Sequence, residues 1–223
     1  MAQDGANTVA IFSGGDPPGA QAVAGLPLDA LVICADSGAH HALELGWRPH
    51  IVVGDLDSLS AEDLAAAIAL GAEILRHPTS KDKTDLALAL DVAAVRCPGG
   101  RLVVIGGGGG RLDHLLANLL LLAADTYAGH AVEARMGAAV VTVLRGRRAL
   151  SGRPGDLVSL LAIGGSARGV TTEGLRYPLS GAVLAPGSSW GVSNVFVRER
   201  AAVTVVDGVG VAVQPGEAAP PEV

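Results

Sequence analysis

The sequence predicts an α/β protein in which an N-terminal domain with a parallel sheet precedes a C-terminal antiparallel β-sandwich. Two observations lead to this prediction. Short aliphatic segments alternate with Ala- and Leu-rich segments of helical length as far as residue 136, and from residue 137 onward short strands are separated by Gly, Pro and Ser. The predicted domains are therefore 1–136 and 137–213, followed by a loose tail, 214–223, rich in Pro and Glu.

The first domain is expected to contain five strands and several helices. The predicted strands are Thr8–Phe12, Ala30–Cys34, Ile51–Val53, Glu73–Arg76 and Leu102–Ile105. The clearest helix begins after Ser60, whose hydroxyl can cap it while Asp63 reciprocates, and it ends before Gly71. Two more helices are expected over Thr84–Arg96 and Leu112–Ala124. Both are apolar nearly all round, which is typical of helices packed against a sheet or a partner subunit.

The second domain is expected to contain short strands only. The predicted strands are Val140–Leu144, Leu157–Ala162, Gly181–Leu184, Asn194–Val197 and Ala202–Val206. Their regular spacing, with turn residues between them, is typical of a small antiparallel sandwich or barrel.

Composition and charge exclude several classes of function. Hydrophobic residues make up 49% of the chain and aromatic residues only 3%, so we expect an aliphatic core. The net charge of -6 argues against binding to nucleic acid or an anionic membrane through overall charge. The chain shows no apolar run of the roughly 18 residues that span a membrane and no signal-peptide pattern. The protein is therefore expected to stay in the cytoplasm. Cys34 and Cys97 lack disulfide or metal spacing, so they are expected to be reduced thiols.

Acidic residues follow the ends of successive predicted strands in the first domain. They are Asp36, Asp55, Asp57, Asp82, Asp85 and Asp113. A single Asp in such a place is more often a turn residue or a helix cap. However, the carboxyl ends of parallel strands meet at one edge of a sheet, so six such residues are expected to converge. Converging carboxylates repel one another unless a cation lies among them, and hard oxygen ligands favour Mg²⁺, which indicates a magnesium and phosphate site.

Three segments carry this site. GDLDS at 54–58 places two carboxylates on the same side of an extended backbone, where they can share an ion. KDKTD at 81–85 combines cations and carboxylates at a predicted helix start, where phosphate can bind, although a solvated helix cap has the same pattern. The glycines at 106–110, followed by Arg111 and Asp113, form either a phosphate loop without the ending of a Walker A motif or a flexible turn.

Four ordered blocks resemble those of the thiamine pyrophosphokinase family: ADSG at 35–38, GDLDS at 54–58, KDKTD at 81–85 and GGRLDH at 109–114. GLRYPL at 174–179 and GVSN at 191–194 are similar to the thiamine-binding region of that family. The resemblance spans nearly the whole chain. It implies an N-terminal catalytic domain, a C-terminal β-sandwich and a homodimer with active sites at the subunit interface. It also implies that the β,γ-diphosphoryl unit of ATP is transferred to thiamine and that AMP is released.

The resemblance also implies roles for residues that match its motifs. Mg²⁺ would be bound by Asp55, Asp57 and Asp85. The catalytic residues would be Asp36, Asp55, Asp57, Asp82 and Asp85, with Asp82 or Asp36 accepting the proton of the hydroxyl. ATP would be bound by Lys81, Thr84, Gly110, Arg111, Asp113 and His114. Thiamine would be bound by Tyr177, Ser193 and Asn194.

The chain departs from the family pattern at two positions. Tyr177 and Val195 stand where the family usually has Trp and Glu. Tyr can still stack on a thiazolium or pyrimidine ring, though less strongly than Trp. Two alternatives therefore stay open, namely a diphosphokinase for another heterocyclic alcohol such as a hydroxymethylpterin, and a non-catalytic thiamine- or nucleotide-binding regulator. Trp190 could supply a further ring, whereas His40 and His41 are interpreted as surface or packing residues.

Overall fold

Residues 7–216 are described by the computed structural model, and they form two compact units. The first unit comprises the residues up to Leu121 together with Gly129–Gly137. The second comprises Leu122–Ala128 and the residues from Ala138 onward. No helix in this described part of the chain is long and apolar enough to cross a membrane.

The first unit is built on a parallel sheet, as its sequence predicts, but the sheet has a sixth strand that was not predicted. The strands are β1 (Thr8–Phe12), β2 (Leu31–Ala35), β3 (Ile51–Gly54), β4 (Glu73–Arg76), β5 (Arg101–Ile105) and β6 (Ala131–Met136). Their order across the sheet is β4-β3-β2-β1-β5-β6, and all neighbours are parallel. The strand order reverses between β1 and β5, so the loops that follow these two strands diverge and leave a crevice at the carboxyl edge.

The central strands form the core of the first unit. β1 is fully buried along its length, and the buried part of β5 runs from Leu102 to Ile105. A parallel strand buried on both faces appears in the sequence as a continuous apolar run, which is why these two strands were predictable.

The described part of the first unit contains a short 3-10 helix (Ala20–Val23) and four α-helices, the last of which ends one residue past the unit boundary: α1 (Gly38–Glu44), α2 (Ala61–Ala69), α3 (Asp85–Arg96) and α4 (Leu112–Leu122). The predicted cap of α2 is present, because Ser60 Oγ accepts the Asp63 N–H at 3.0 Å and donates to the Asp63 carboxylate at 2.7 Å. Thr84 caps α3 by accepting the Ala87 N–H at 3.2 Å. α3 packs against β1, β2 and β3, which fixes its first turn at the carboxyl edge of the sheet.

A paired, largely buried charge ties β5 to β6. The Glu133 carboxylate accepts hydrogen bonds from Arg101 at 2.9 Å and from Arg135 at 2.8 Å. Arg135 also donates to the carbonyls of Ala22 and Ala24, at 3.0 and 2.8 Å. Burial raises the pKa of Glu133, but the two arginine hydrogen bonds outweigh burial and the pKa lies below its usual value.

Glu133→Gln should therefore lower the free energy of unfolding by about 2 kcal/mol at pH 7. The folded pKa lies below the unfolded value of about 4.3, so this stabilisation is present above that value and is lost as the pH falls through the folded pKa. Urea unfolding at neutral and acidic pH measures the difference, which should shrink in acid. Glu73, in an exposed pair with Arg96, is the control, and Glu73→Gln should cost about 0.5 kcal/mol or less. Equal effects of the two substitutions would contradict the prediction.

The second unit is antiparallel, as predicted. Its strands are β7 (Ala139–Ser151), β8 (Leu157–Ala162), β9 (Ala167–Glu173), β10 (Ala182–Leu184), β11 (Asn194–Val195) and β12 (Arg200–Gln214). β12 pairs along its length with β7, and also with β9 through its first half and β8 through its second, with a register shift between Val205 and Gly210. β12 reaches Gln214, and residues 217–223 of the predicted tail lie outside the described residues.

Candidate active site

A cavity of about 580 Å³ opens at the carboxyl edge of the parallel sheet, in the first unit. Its walls come from the segments that follow five strands, and α4 adds His114 and Asn118. Among the lining residues are Ser13 after β1, Asp36 after β2, Ser58 after β3, Lys81 and Asp85 after β4, and Gly107 to Arg111 after β5. The cavity therefore lies where the reversal of strand order leaves a crevice.

Three carboxylates form a compact group beside this cavity. Asp36, Asp55 and Asp57 each have an oxygen within 4.8 Å of the others, and they range from buried to half-buried to exposed. The Asp57 N–H donates to Asp55 Oδ1 at 3.3 Å, and Leu56 between them has a left-handed φ of 63°. This turn brings the carboxylates of Asp55 and Asp57 close enough together to bind one ion.

Asp36 is the buried member of the group, only 4% exposed. Ser58 Oγ donates a short hydrogen bond to its Oδ2, whereas its buried Oδ1 has no hydrogen-bond partner among residues 7–216. Burial raises the pKa of Asp36, the Ser58 hydrogen bond lowers it, and the charges of Asp85 and Asp55 raise it further. Asp36 also has a left-handed φ of 45°, a conformation that is costly outside glycine. A buried acceptor without a donor is the feature that a cation in this group would satisfy.

Lys81 links two carboxylates across the site. Its Nζ lies 2.7 Å from Asp55 Oδ2 and 2.9 Å from Asp85 Oδ1. The hydrogen bond from Lys81 lowers the pKa of Asp55. Gly54 makes this approach possible, since a Cβ at this position would lie 2.9 Å from Asp85 Oδ1 and 3.1 Å from the Cβ of Asp36. Of the predicted metal ligands, the structure groups Asp55 and Asp57 with Asp36, whereas Asp85 is linked to Asp55 through Lys81. The three grouped carboxylates are oxygen donors of the kind that fit a hard divalent cation.

The glycine run after β5 forms another part of the cavity wall. Gly106, Gly107, Gly109 and Gly110 have left-handed φ values between 60° and 86°. Arg111, Gly110 and His114 line the cavity, as do Lys81, Asp82 and Thr84. Asp113 is not among the lining residues and instead accepts two hydrogen bonds from Arg111, at 3.1 and 2.6 Å, which hold the pKa of Asp113 at about 2.

Two parts of the cavity wall were missed by the sequence analysis. The segment from Ser13 to Gly15 follows β1, and Asn118 on α4 donates to the carbonyl of Gly107 at 3.1 Å. The first of these parts could have been predicted, because Gly14 and Gly15 come shortly after a buried strand. Asn118 gives no such signal, because its partner is a backbone atom.

The predicted thiamine-binding residues lie in the second unit. Asn194 is buried, and its amide exchanges two hydrogen bonds with the backbone of Tyr177, at 3.0 and 2.7 Å, while Oδ1 also accepts the Val195 N–H at 2.9 Å. The Tyr177 residue itself is 58% exposed. Ser193 has a left-handed φ of 57°, and its N–H donates to Ser159 Oγ at 3.1 Å. The Asn194 side chain is therefore engaged in holding the backbone of Tyr177.

The fold and the site define a two-unit α/β protein whose carboxylate- and glycine-rich cavity suits a divalent cation and phosphate groups. Residues 27–132 match the family model for the thiamin pyrophosphokinase catalytic domain, and residues 147–210 match the model for the thiamin pyrophosphokinase vitamin B1 binding domain. The chain belongs to the thiamin pyrophosphokinase family of enzymes. The family resemblance found in the sequence motifs is thereby confirmed.

Individual relatives agree with this assignment. A thiamine pyrophosphokinase of Bacillus subtilis is 25% identical over 189 residues, which cover 80% of this chain and 84% of the relative. The crystal structure of thiamine pyrophosphokinase from Bacillus subtilis matches with a TM-score of 0.79 and 23% identity, over 96% of this chain and all of that one. The structure of thiamin pyrophosphokinase from Geobacillus thermodenitrificans matches with a TM-score of 0.77 and 28% identity, over 93% of this chain and 96% of that one.

Proposed function

We propose that this enzyme transfers a diphosphate group from ATP to the hydroxyl of thiamine and releases AMP. Family membership supports the reaction. The main observation that supports it in this chain is a group of carboxylates beside a glycine-lined cavity at the carboxyl edge of the sheet. Lys81 lies in the same place and pairs with Asp55 and Asp85. The carboxylates can bind a metal ion, and Lys81 and the glycine N–H groups can donate hydrogen bonds to a polyphosphate.

The proposed metal is Mg²⁺. Asp55, Asp57 and Asp85 would hold it. The position of Asp36 supports adding this residue to the set, because its Oδ1 is buried and accepts no hydrogen bond from the residues that the structure describes. When bound, the ion would neutralise charge on the phosphate oxygens. All candidate ligands are carboxylate oxygens, the type that Mg²⁺ prefers.

The residues of the chain would mainly position and neutralise the reacting groups. Lys81, Arg111 and the glycine loop supply positive charge and N–H donors to the polyphosphate. The thiamine hydroxyl oxygen then bonds to the β-phosphorus while the bond from this phosphorus to the bridging oxygen breaks, and AMP leaves with that oxygen. Asp82 is exposed, lines the cavity and lies outside the three-carboxylate group, whereas Asp36 belongs to that group. Of these two candidates, Asp82 is therefore the residue proposed to accept the hydroxyl proton.

The two predicted domains would divide the substrates. We propose that 1–136 binds ATP and the metal, and that 137–213 binds thiamine through Tyr177 and Ser193. The match of 147–210 to a vitamin B1 binding domain supports this division. So does the exposure of Tyr177, one of the few aromatic residues of the chain, which is 58% exposed as a residue. Asn194 would act by fixing the backbone that carries the ring.

Tyr177→Ala should raise the KM for thiamine by about tenfold or more and leave kcat little changed, because the ring contributes stacking in the ground state and the transition state alike. Tyr177→Phe keeps the ring and should stay near the wild-type KM. Steady-state kinetics with saturating ATP measure both variants. An unchanged KM in Tyr177→Ala would move the thiamine pocket elsewhere.

A homodimer is also proposed, and α4 supports it. Leu112, Leu116 and Leu120 are spaced four residues apart, so they share one helix face, and they are 77%, 56% and 50% exposed. An apolar stripe of this kind is typical of a protein interface. Sedimentation of the purified chain as a single 22.3 kDa species would contradict the dimer.

The state of the cysteines supports a cytoplasmic location, which we also propose. Cys34 and Cys97 are both buried free thiols. Burial raises the pKa of Cys34, so this thiol stays protonated. Free thiols are the usual state of cysteine in a reducing compartment.

One assay tests the proposed reaction against its alternatives. The purified protein is incubated with ATP and Mg²⁺ and with either thiamine or a hydroxymethylpterin, and AMP and the diphosphate ester are quantified. AMP with thiamine alone supports the proposal. AMP with the pterin alone would indicate the other heterocyclic alcohol, and the absence of AMP with both would leave a non-catalytic binding protein.

A further inference from the structure

The loop that follows β1 has no role in the function proposed so far. It runs from Ser13 to Asp16 and precedes the part of the chain that matches the family's catalytic domain, which begins at residue 27. Ser13, Gly14 and Gly15 nevertheless line the cavity, on the side where the strand order reverses.

This loop is bonded to the glycine run after β5. The Gly107 N–H donates to the Gly14 carbonyl at 2.8 Å, and the Asp16 N–H donates to the Gly108 carbonyl at 3.0 Å. The contact is tight, because a Cβ at Gly15 would lie 2.5 Å from the Gly108 carbonyl oxygen, and Gly15 has a φ of 104°. The two glycine segments therefore form one continuous backbone surface along the cavity.

Several N–H groups of this surface are unused. Within residues 7–216, the N–H groups of Gly14 and Gly15 donate to no acceptor, and neither do those of Gly108, Gly109 and Gly110. Successive backbone N–H groups without an internal acceptor are a recurrent binding site for anions. Two side chains pack against these glycines, since a Cβ at Gly109 would lie 1.9 Å from Asp16 Oδ2 and a Cβ at Gly14 would lie 2.6 Å from Ser37 Oγ. Asp16 is not among the residues that line the cavity.

His41 fixes the orientation of the first of these donors. This residue is buried, 7% exposed, and its Nδ1 lies 3.1 Å from the Ser13 carbonyl oxygen. The Ser13 carbonyl and the Gly14 N–H belong to the same peptide group, and in a trans peptide they point in opposite directions. A carbonyl held by His41 therefore turns the Gly14 N–H away from α1.

We propose that residues 13–15 form a second phosphate-binding loop, which binds phosphate oxygens of the nucleotide together with Gly108–Gly110, and that His41 is its positioning residue. The proposal rests on the proposed function for the identity of the nucleotide. His41 is buried, which agrees with its interpretation as a packing residue, and the proposal adds a positioning role through its contact with the Ser13 carbonyl.

A titration of the ¹⁵N-labelled wild-type protein with inorganic tripolyphosphate tests the loop directly. The amide resonances of Gly14 and Gly15 should shift with the same dissociation constant as those of Gly108–Gly110. Gly46 and Gly71 are matched controls, because their N–H groups already donate within turns after α1 and α2 and should not respond. A response confined to Gly108–Gly110 would overturn the proposal.

Two variants test His41. His41→Leu removes the donor to Ser13 and should weaken tripolyphosphate and ATP binding about five- to tenfold, with adenosine binding unchanged. His41→Asn keeps an amide donor in place of Nδ1 and should restore binding to within about twofold. Equal loss for adenosine and ATP, or no loss at all, would overturn the positioning role.

The AMP assay and the amide titration distinguish the failure of one proposal from the failure of the other. If AMP forms from ATP and thiamine while the Gly14 and Gly15 resonances do not shift, the phosphate-binding loop is contradicted and the proposed reaction is supported. If these resonances shift but no AMP forms, the proposed reaction is contradicted and the phosphate-binding loop is supported.

Discussion

Asp57→Asn should reduce kcat by about a hundredfold or more while leaving the fold intact. Asp57 is the exposed member of the three-carboxylate group, so its neutralisation leaves no buried charge unpaired. What the variant loses is one of the negative charges that would attract the metal. The loss should therefore appear in metal affinity as well as in turnover.

The comparison variant is Asp29→Asn. Asp29 is also exposed, but it precedes β2 and lies at the opposite edge of the sheet from the carboxylate group. Calorimetric titration with Mn²⁺ and steady-state kinetics should separate the two variants, with Asp29→Asn behaving as wild type. Near-normal turnover in Asp57→Asn would contradict the metal assignment.

Asp36→Asn should stabilise the protein in metal-free buffer and still remove most of its activity. Burial and the charges of Asp85 and Asp55 raise the pKa of Asp36, so the folded state favours the neutral form and ionisation at neutral pH costs stability. An amide of the same size removes that cost and can keep the contact with Ser58. We expect the Tm to rise by about 2–4 °C and kcat to fall by about a hundredfold or more.

Thermal unfolding with and without Mg²⁺ measures the Tm of each variant and its increase on binding the ion. Wild type should gain stability from the ion, and Asp36→Asn should gain little. Ser58→Ala is the matched variant in the same contact, and it should lower the Tm because it removes the donor to Asp36 Oδ2. A metal-free Asp36→Asn protein less stable than wild type would refute the prediction.

The strands that could be predicted are those with no charged residue between their two ends. β1 and β4 have the predicted bounds, and β8 does as well. β6 was missed because Glu133 and Arg135 interrupt its apolar residues, and their ion pairs exist only once β5 lies beside them. β12 was predicted over Ala202–Val206 alone, since a following Asp-Gly pair is typical of a turn, whereas the structure accommodates it at a register shift.

The candidate site was predictable where strand ends determine it. Asp36, Asp55 and Asp57 converge because parallel strands end at the same edge. The position of Lys81 between Asp55 and Asp85 depends on the fold of the β4–α3 segment and has no signature in the sequence. The link from His41 to Ser13 joins residues 28 positions apart through one backbone atom, which no local pattern reports.

The cavity takes its walls from the segments after β1 to β5 and from α4, so it is complete only when these five strands and α4 have formed. A partly synthesised chain that lacks β5 would have no complete place for a nucleotide. Occupancy should then protect the backbone amides of β1 to β5 from hydrogen exchange as one cooperative block, because releasing any one strand would dismantle the binding surface shared by all of them.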